Sequence, residues 1–280
     1  MAAQIIDGKV LGAQVRAEIR RRIAESRRTV RLDAILVGDD RSASIYAQNQ
    51  AKTCAEVGIE YHLHTLPASS GYEEIAGRVL LMNTDDAIKA IMLHLPLPAG
   101  VDTERVQSLI AQDKDVEGVN PANIGNVVYG RRSLVPCTAL AVIEMIESTG
   151  ITLRGSKCVI VGASNIVGKP IAVLLMREDA TVTIANKFTK NLAAIVREAD
   201  VVVAAAGVAA LVKAEWIQPG AVVIDVGINR QSGPDGKSVT VGDVDPSVAT
   251  VAGWMSPVPG GVGPMTVAML LRNVTEAALR

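Results

Sequence analysis

The chain has 280 residues, of which 49% are hydrophobic and 20% are charged, and this composition excludes an intrinsically disordered protein. Its 28 basic and 29 acidic residues give a formal net charge of -1. This balance excludes a strongly attractive surface for nucleic acid or for an anionic membrane.

Targeting and metal-binding signals are missing from the sequence. The first residues carry neither the basic nor the apolar segment of a secretory signal, and the longest apolar run, Val201 to Val212, is too short to span a bilayer. The three cysteines and three histidines are scattered, which predicts neither a disulfide framework nor a metal site. We therefore expect a cytoplasmic protein that has no metal centre and does not enter a membrane.

The first half of the chain alternates between helix and strand patterns. Helices are predicted at Gly8–Arg28, Ser42–Val57, Tyr72–Met82 and Thr103–Gln112, and strands at Arg31–Gly38, Ile59–Leu66 and Ala87–Leu95. Such alternation is typical of a parallel α/β layer. Between Lys114 and Arg132 the pattern dissolves into Asp, Gly, Asn and Pro, which indicates a linker and a domain boundary.

A second alternating series follows this linker. It predicts helices at Ala139–Ser148, Val167–Arg177, Leu192–Glu198 and Gly263–Leu279, and strands at Lys157–Val161, Thr181–Ala185, Val201–Ala205 and Ala221–Val226. Three prolines and three glycines lie within Ser256–Thr266, just before and at the start of the last helix. This stretch is either a rigid turn or a place where bare backbone approaches a ligand.

The stretch Cys158–Pro170 has the strand, turn and helix start of a dinucleotide-binding fingerprint. The fit is partial, because Ser164 and Asn165 occupy positions where glycine is usual, so a purely structural turn is the alternative. The strand that ends at Ala185 is followed by Lys187 and not by an acid that could bind a ribose 2′-hydroxyl. Lys187 favours the 2′-phosphate of NADP, with NAD and a merely solvated lysine as the alternatives.

Polar candidates in the first half have the same ambiguity. Tyr46 and Gln50 share one face of a predicted helix, whereas Lys52 lies off that face. His94 lies near the carboxyl end of a predicted strand, and acidic residues alternate over 113–117. The acidic set indicates either a site for a polar heterocycle or a solvated turn. Tyr46 is either a functional residue or a core tyrosine, and His94 is either a catalyst or a satisfied core or rim residue.

Several longer motifs occur in a distinctive order. They are the Tyr46 helix, Leu95-Pro96-Leu97-Pro98, Asp113-Lys114-Asp115, Pro136-Cys137-Thr138, Gly162 through Pro170, Phe188 through Leu192, Asp225 through Asn229, Gly242-Asp243-Val244 and Pro257 through Thr266. With these motifs the chain resembles the methylenetetrahydrofolate dehydrogenase/methenyltetrahydrofolate cyclohydrolase family over nearly its full length. The last motif is highly specific to that family.

The resemblance implies a two-domain α/β fold with a cleft between the domains. Residues 1–120 and 264–280 would form a folate domain, and 121–263 a Rossmann-like NAD(P)-binding domain; family members are commonly homodimers. The implied catalytic residues are Tyr46, Gln50, His94 and Asp115. The implied substrate-binding residues are Tyr46, Leu93, His94, Leu95, Glu117, Pro259, Gly260, Gly261, Gly263 and Val267. The implied cofactor-binding residues are Gly162, Ala163, Ser164, Asn165, Lys187 and Ile228.

The chain departs from the family pattern at several folate-site positions. Gln50 stands where the family has a lysine that supports the cyclohydrolase step, His94 where it has glutamine, and Glu117 where it has aspartate; Ala43 and Ala139 replace a serine and a proline. A glutamine offers neither a titratable proton nor a charge. We therefore expect oxidation of 5,10-methylenetetrahydrofolate with NADP+, and weak or absent hydrolysis of the methenyl product.

Three alternatives stay open at this point. The first is a fully bifunctional enzyme in which His94 or Lys52 handles the proton. The second is the same fold acting on a modified pterin or another small molecule. The third is a non-catalytic paralogue that binds folate or nucleotide.

Overall fold

The computed structural model describes residues 2–131, 133–232 and 238–280. The chain forms two compact units. Unit 1 contains the residues up to Ala13 together with Thr138–Met269, and unit 2 contains Gln14–Cys137 and Leu270–Arg280. These units differ from the domain bounds expected from the sequence at the first 13 residues, at 121–137 and at 264–269. The first residues belong to unit 1 because a short strand near the amino terminus pairs within the unit 1 sheet.

The elements alternate as the sequence patterns indicate. The helices are α1 Gly8–Ser26, α2 Arg41–Val57, α3 Tyr72–Thr84, α4 Thr103–Gln107, α5 Pro121–Tyr129, α6 Cys137–Glu147, α7 Gly168–Arg177, α8 Leu192–Arg197 and α9 Val262–Leu279. The strands are β1 Gln4–Ile5, β2 Val30–Val37, β3 Ile59–Leu66, β4 Ile91–Leu93, β5 Lys157–Val161, β6 Thr181–Ala185, β7 Val201–Ala204, β8 Val222–Asp225, β9 Asn229–Ser232, β10 Ser238–Val241 and β11 Trp254–Met255. Within the described residues, no helix is both long and apolar enough to cross a membrane.

Unit 2 is built on a parallel three-stranded sheet in the order β3-β2-β4. Ile35 in the central strand is level with His64 on one side and with Leu93 on the other. One face of this sheet forms an apolar core with α3 and α4. The buried Lys114 donates hydrogen bonds to the carbonyls of Met82, Asn83 and Asp85, so it satisfies the end of α3 and fixes the segment that follows α4.

Unit 1 contains a parallel sheet in the order β1-β11-β8-β7-β5-β6, with β6 at one edge. Its central strands are buried runs of valine, isoleucine and alanine, as expected for a parallel sheet covered on both faces. The strands β9 and β10 form a separate antiparallel pair. Because β5, β6, β7 and β8 are parallel neighbours, their carboxyl ends meet at one rim of the sheet, where ligands bind in open α/β folds.

Most predicted elements are present, and the strands at Ile59–Leu66, Lys157–Val161 and Thr181–Ala185 are confirmed with the predicted bounds. The prediction that 114–132 is an irregular linker is wrong, because this stretch contains α5. The Asn120 side chain caps α5 by accepting the amide of Ala122. Arg132, the last residue of that stretch, lies outside the described residues.

Two predicted elements have half their expected length or less in the structure, and several short strands were not predicted. The strand expected over 87–95 comprises only β4, and the helix expected over 103–112 ends at Gln107. The sequence patterns did not reveal β1 and β11, because they have only two residues, or β9 and β10, because these four-residue strands are largely exposed and lack the buried apolar run of β7 and β8.

Candidate active site

A polar pocket in unit 2 begins on α2, where Tyr46 and Gln50 lie one turn apart. Asp40 sets the start of this helix by accepting the amide of Ala43 at 2.8 Å. Tyr46 is 50% exposed, so the interpretation of this residue as a core tyrosine is wrong, whereas Gln50 is 3% exposed. Lys52 is exposed on the same helix.

Gln50 places an uncharged amide inside this pocket. Its Nε2 lies 3.7 Å from the Sγ of Cys54 one turn further along α2. Burial raises the pKa of Cys54 to about 11, so the thiol stays protonated at neutral pH. This side of the pocket therefore contributes hydrogen-bonding capacity and no charge.

His94 approaches the pocket from the loop that follows β4. Its backbone amide donates to the carbonyl of Ile35 at 2.8 Å, which continues the sheet by one residue. Its side chain is buried, and the Nε2 atom lies 2.7 Å from the hydroxyl oxygen of Tyr61 on β3. The Tyr46 ring meets the imidazole edge-on with the ring centroids 5.9 Å apart. The structure thus joins Tyr46 and His94, and it adds Tyr61, which sequence reasoning missed.

Burial controls the protonation of this group of rings. Burial lowers the pKa of His94 and raises the pKa values of Tyr46 and Tyr61. Both phenols therefore keep their protons at neutral pH, and the imidazole is held mainly in its neutral form.

Glu117 completes the pocket with a partly buried carboxyl group. Its Oε2 accepts the amide of Leu93 at 3.3 Å. Burial, and to a lesser extent the nearby charge of Asp115, raise the pKa of Glu117 to about 7. Glu117 can therefore donate as well as accept a hydrogen bond near neutral pH. Leu95, two residues after Leu93, is exposed.

Asp115 is fully buried and holds the loop that carries Glu117. Its carboxylate accepts the amides of Gly118 and Asn120 and the Nδ2 of Asn123, at 3.1, 2.8 and 2.9 Å. These bonds offset the effect of burial, which raises the pKa of Asp115. In the structure its bonds are directed to its own loop, and a part in catalysis stays a prediction.

Asn273 anchors the other end of the same loop, a role that sequence reasoning missed. Its Nδ2 donates to the carbonyls of Val116 and Val135, both at 2.9 Å, and lies 3.5 Å from the Sγ of Cys137. Burial and the charge of Glu117 raise the pKa of Cys137, so this thiol is not a nucleophile at neutral pH.

Between β5 and α7, unit 1 contains the glycine turn for which cofactor binding is predicted. Gly162 has a φ of +128°, and a Cβ atom there would lie 2.0 Å from the carbonyl oxygen of Ala205. A Cβ atom on Gly168 would lie 2.0 Å from the carbonyl oxygen of Gly162. Ser164 occupies a usual glycine position, and its hydroxyl accepts the amide of Gly168 at the start of α7. The turn therefore needs its two glycines for close backbone packing, while Ala163, Ser164 and Asn165 line its partly or fully exposed side.

Exposed apolar side chains surround this turn at the rim of the sheet. One follows each of the strands β5, β6, β7 and β8, namely Ile166, Phe188, Val208 and Ile228. Phe188 is 79% exposed and Ile228 is 72% exposed. Such a row beside a glycine turn fits the flat rings of a dinucleotide, because aromatic and aliphatic groups stack on apolar surfaces. Lys187 is exposed in the same row, with its Nζ 5.1 Å from the centre of the Phe188 ring.

Two buried carboxylates organise the rim beside Ile228. Asp225 accepts the amides of Gly227, Asp243 and Val244 at 2.9, 2.9 and 3.0 Å. Asp243 accepts the amides of Ala206 and Gly207 at 2.6 and 2.8 Å and the Nδ2 of Asn229 at 2.8 Å. Burial raises the pKa of Asp225 to about 6. Asp225 therefore caps nearby backbone amides at this rim.

The proline- and glycine-rich stretch also lies in unit 1. Gly260 has a φ of +110°, and Gly261 leaves no room for a side chain, because a Cβ atom there would lie 2.5 Å from the Pro257 carbonyl oxygen. The start of α1 packs closely against this stretch, since a Cβ atom on Gly8 would lie 1.8 Å from the carbonyl oxygen of Gly261. Pro259 and Gly263 are exposed, and Val267 is partly buried on α9. These residues form a tight turn into α9 with open positions on its surface.

Two family models cover the chain. Residues 6–117 match the catalytic domain of tetrahydrofolate dehydrogenase/cyclohydrolase, and residues 136–280 match its NAD(P)-binding domain. No metal-binding group of three or more His, Cys, Asp or Glu side chains occurs within the described residues.

Named relatives match the chain from end to end. The bifunctional protein FolD of Moorella thermoacetica is 45% identical over 100% of this chain and 100% of its own. The bifunctional protein FolD of Polynucleobacter asymbioticus is 47% identical over 99% of this chain and 98% of its own.

Solved structures show the same architecture. The bifunctional enzyme FolD of Campylobacter jejuni has a TM-score of 0.93 at 36% identity and covers 99% of both chains. A FolD structure from Trypanosoma brucei, complexed with NADP cofactor and inhibitor, has a TM-score of 0.91 at 37% identity, covering 100% of this chain and 98% of its own. The predicted α/β fold class, with a Rossmann-like NAD(P)-binding domain, is confirmed.

Proposed function

Because the chain belongs to the tetrahydrofolate dehydrogenase/cyclohydrolase family, we propose that it oxidises 5,10-methylenetetrahydrofolate to 5,10-methenyltetrahydrofolate with NADP+. The observation that carries this proposal is the match of both family domains over nearly the whole chain. When bound, NADP+ supplies the acceptor for the hydride that leaves the methylene carbon. The chain binds and orients the two reactants and excludes water from them.

The cofactor assignment rests on the rim of unit 1. The glycine turn, the exposed apolar row and the Lys187 ammonium group suit a dinucleotide that carries an additional phosphate. The similar FolD of Trypanosoma brucei was solved with NADP, which supports the same choice here. Activity with NAD+ that equals or exceeds activity with NADP+ would contradict this assignment.

We assign the folate to the residues that the family resemblance implies. In unit 2, Tyr46 and Leu95 offer exposed apolar surface and Glu117 offers a carboxyl group that can donate and accept. In unit 1, the turn at 259–263 and Val267 offer open backbone and apolar contacts. The domain bounds expected from the sequence belong to this proposal as well.

We further propose that the chain hydrolyses the methenyl product to 10-formyltetrahydrofolate. In this reaction, water oxygen bonds to the methenyl carbon, one water proton leaves to solvent, and the other reaches N5 as the carbon–N5 bond breaks. Relatives that are 45% and 47% identical over almost their full lengths are named bifunctional, which favours this activity over its loss. We expect a slow reaction, because Gln50 provides neither a titratable proton nor a charge. His94 is the better substitute for a proton carrier than Lys52, since Lys52 is exposed.

We propose that the protein works as a cytoplasmic homodimer. The edge strand β6 supports self-association, because three of its five side chains are exposed and its outer backbone groups have no neighbouring strand in the described sheet. Sedimentation analysis at several concentrations tests this assignment, and a strictly monomeric species would contradict it.

Paired assays on three proteins test the two activities. Wild type should reduce NADP+ with methylenetetrahydrofolate and should hydrolyse methenyltetrahydrofolate faster than buffer does. Gln50→Lys should accelerate hydrolysis by about 10²-fold, because it supplies a titratable ammonium group in the pocket. Gln48→Lys is the matched control, because it adds the same charge at an exposed position of the same helix.

The outcomes separate the alternatives. Hydrolysis at the buffer rate by wild type would restore the expectation that Gln50 abolishes the second activity. Failure to reduce NADP+ with any methylene-folate would favour the non-catalytic paralogue. Equal acceleration by Gln48→Lys and Gln50→Lys would show that the charge acts nonspecifically.

A further inference from the structure

The hydrogen-bonded pair of His94 and Tyr61 has the features of a proton carrier. We propose that His94 exchanges the proton during methenyl hydrolysis and that Tyr61 is the positioning residue that holds its imidazole ring. This inference rests on the proposed cyclohydrolase activity and assigns the residues that perform its proton transfer.

The geometry leaves one imidazole nitrogen available for chemistry. The Nε2 atom of His94 is engaged with the Tyr61 hydroxyl at 2.7 Å, and Nδ1 makes no hydrogen bond to the part of the chain that the structure describes. When Nε2 carries the hydrogen and donates it to Tyr61, Nδ1 presents its lone pair. It can then accept a proton from the attacking water and pass that proton to N5 as the carbon–N5 bond breaks.

The side chains around the imidazole do not compete for this role. Tyr46 contacts the imidazole from α2 and Tyr61 from β3, and burial raises the pKa of both, so both phenols keep their protons at neutral pH. Near Tyr61, burial likewise raises the pKa of the Cys54 thiol and keeps it protonated, and Gln50, which is hydrogen-bonded to that thiol, cannot titrate. The remaining candidate is Glu117, which accepts the amide of the residue preceding His94 and has a pKa of about 7.

The position of Tyr61 explains why His94 needs it. His94 follows the last residue of β4, so its imidazole is not carried by a regular part of the strand. Tyr61 lies in the regular part of β3, and its ring packs edge-on to the imidazole with the centroids 6.5 Å apart. The hydroxyl therefore fixes both the direction of the ring and the nitrogen that carries the hydrogen.

The test measures hydrolysis from pH 5 to 9 for the full-length variants Tyr61→Phe, His94→Gln and Glu117→Gln. Tyr72→Phe is the matched control, because it removes a phenol hydroxyl elsewhere in unit 2, where the ring stacks on Arg105. We expect His94→Gln to lose at least 10²-fold in hydrolysis and Tyr61→Phe to lose about tenfold. Tyr61→Phe should also move the acidic limb of the pH profile to lower pH, because the imidazolium loses an acceptor. A purely structural role would not move that limb.

Dehydrogenase activity of the same preparations separates the possible failures. The ratio of hydrolysis to dehydrogenase activity should fall in Tyr61→Phe and stay at the wild-type value in Tyr72→Phe. Wild-type hydrolysis with an unchanged ratio and pH profile in Tyr61→Phe overturns the relay and leaves the proposed cyclohydrolase intact. A loss in Glu117→Gln together with full activity in His94→Gln also overturns it. Hydrolysis at the buffer rate by wild type, with the dehydrogenase active, overturns the cyclohydrolase and the relay together.

Discussion

Gly242→Ala is expected to disrupt the carboxylate cluster at the rim of unit 1. A Cβ atom at this position would lie 1.8 Å from the Oδ2 of Asp225, far inside any real contact distance. The backbone of Gly242 does not have a left-handed φ, so the clash alone decides the outcome. The carboxylate has to move by more than about 1 Å to restore an ordinary carbon–oxygen contact.

The magnitude follows from the bonds that this movement breaks. Asp225 accepts three backbone amides at 2.9–3.0 Å, and Oδ2 is the acceptor of the Val244 amide. A hydrogen bond to a charged group contributes about 1.5–3 kcal/mol, so losing one or two lowers the free energy of unfolding by about 2–5 kcal/mol. For a domain of this size, that corresponds to a Tm lower by on the order of 10 °C. The KM for NADP+ should rise at least about tenfold, because Asp243, whose amide Asp225 holds, supports the loops at Ala206 and Asn229.

Thermal unfolding followed by circular dichroism, together with dehydrogenase kinetics at 20 °C, measures both effects. Gly77→Ala is the control, because a Cβ atom at this helical position has no heavy atom within 4 Å. It should be unchanged or more stable by up to about 1 kcal/mol. A Gly242→Ala protein with the wild-type Tm and the wild-type KM for NADP+ would refute the reasoning.

Three further predictions test the pocket, the core and the cofactor rim. The pKa of Glu117 is raised from 4.5 to about 7, so this group should lower wild-type stability by up to about 3 kcal/mol as pH rises between these values. In urea unfolding, Glu117→Gln should lose about that part of the fall and keep the part due to Asp115 and Asp225, whose pKa values are also raised; an unchanged fall would contradict the role of Glu117. Lys114→Met should lower the free energy of unfolding by about 2–4 kcal/mol, since three carbonyls lose their donor; an unchanged urea midpoint would contradict this role. Lys187→Ala should raise the KM for NADP+ about tenfold and leave the KM for NAD+ unchanged; equal changes in both would show that Lys187 does not contact the 2′-phosphate.

Most of the elements, the fold class and the glycine turn at Gly162 could be predicted from the amino-acid sequence alone. Most helices and the buried strands show their apolar pattern along the chain, whereas the nine-residue α5 was not predicted, because it lies in a stretch rich in Asp, Gly, Asn and Pro. The two glycines of the Gly162 turn act through their missing side chains, which is a property of the local sequence. The order of the family motifs further indicated the reaction class and placed Tyr46, Gln50, His94 and Glu117 in one pocket.

Which of these side chains are in contact, and which of them are protonated, became known from the folded structure alone. Tyr61 and His94 lie 33 residues apart and meet because β2 pairs with both β3 and β4. The sequence likewise did not show that Asp115 is occupied by its own loop, or that Asn273 holds the loop of Glu117 from α9. Such contacts depend on strand order, register and burial, which are set by the packing of distant segments. The pKa of a group depends on the same burial, so the chemistry of the pocket became visible only in the folded chain.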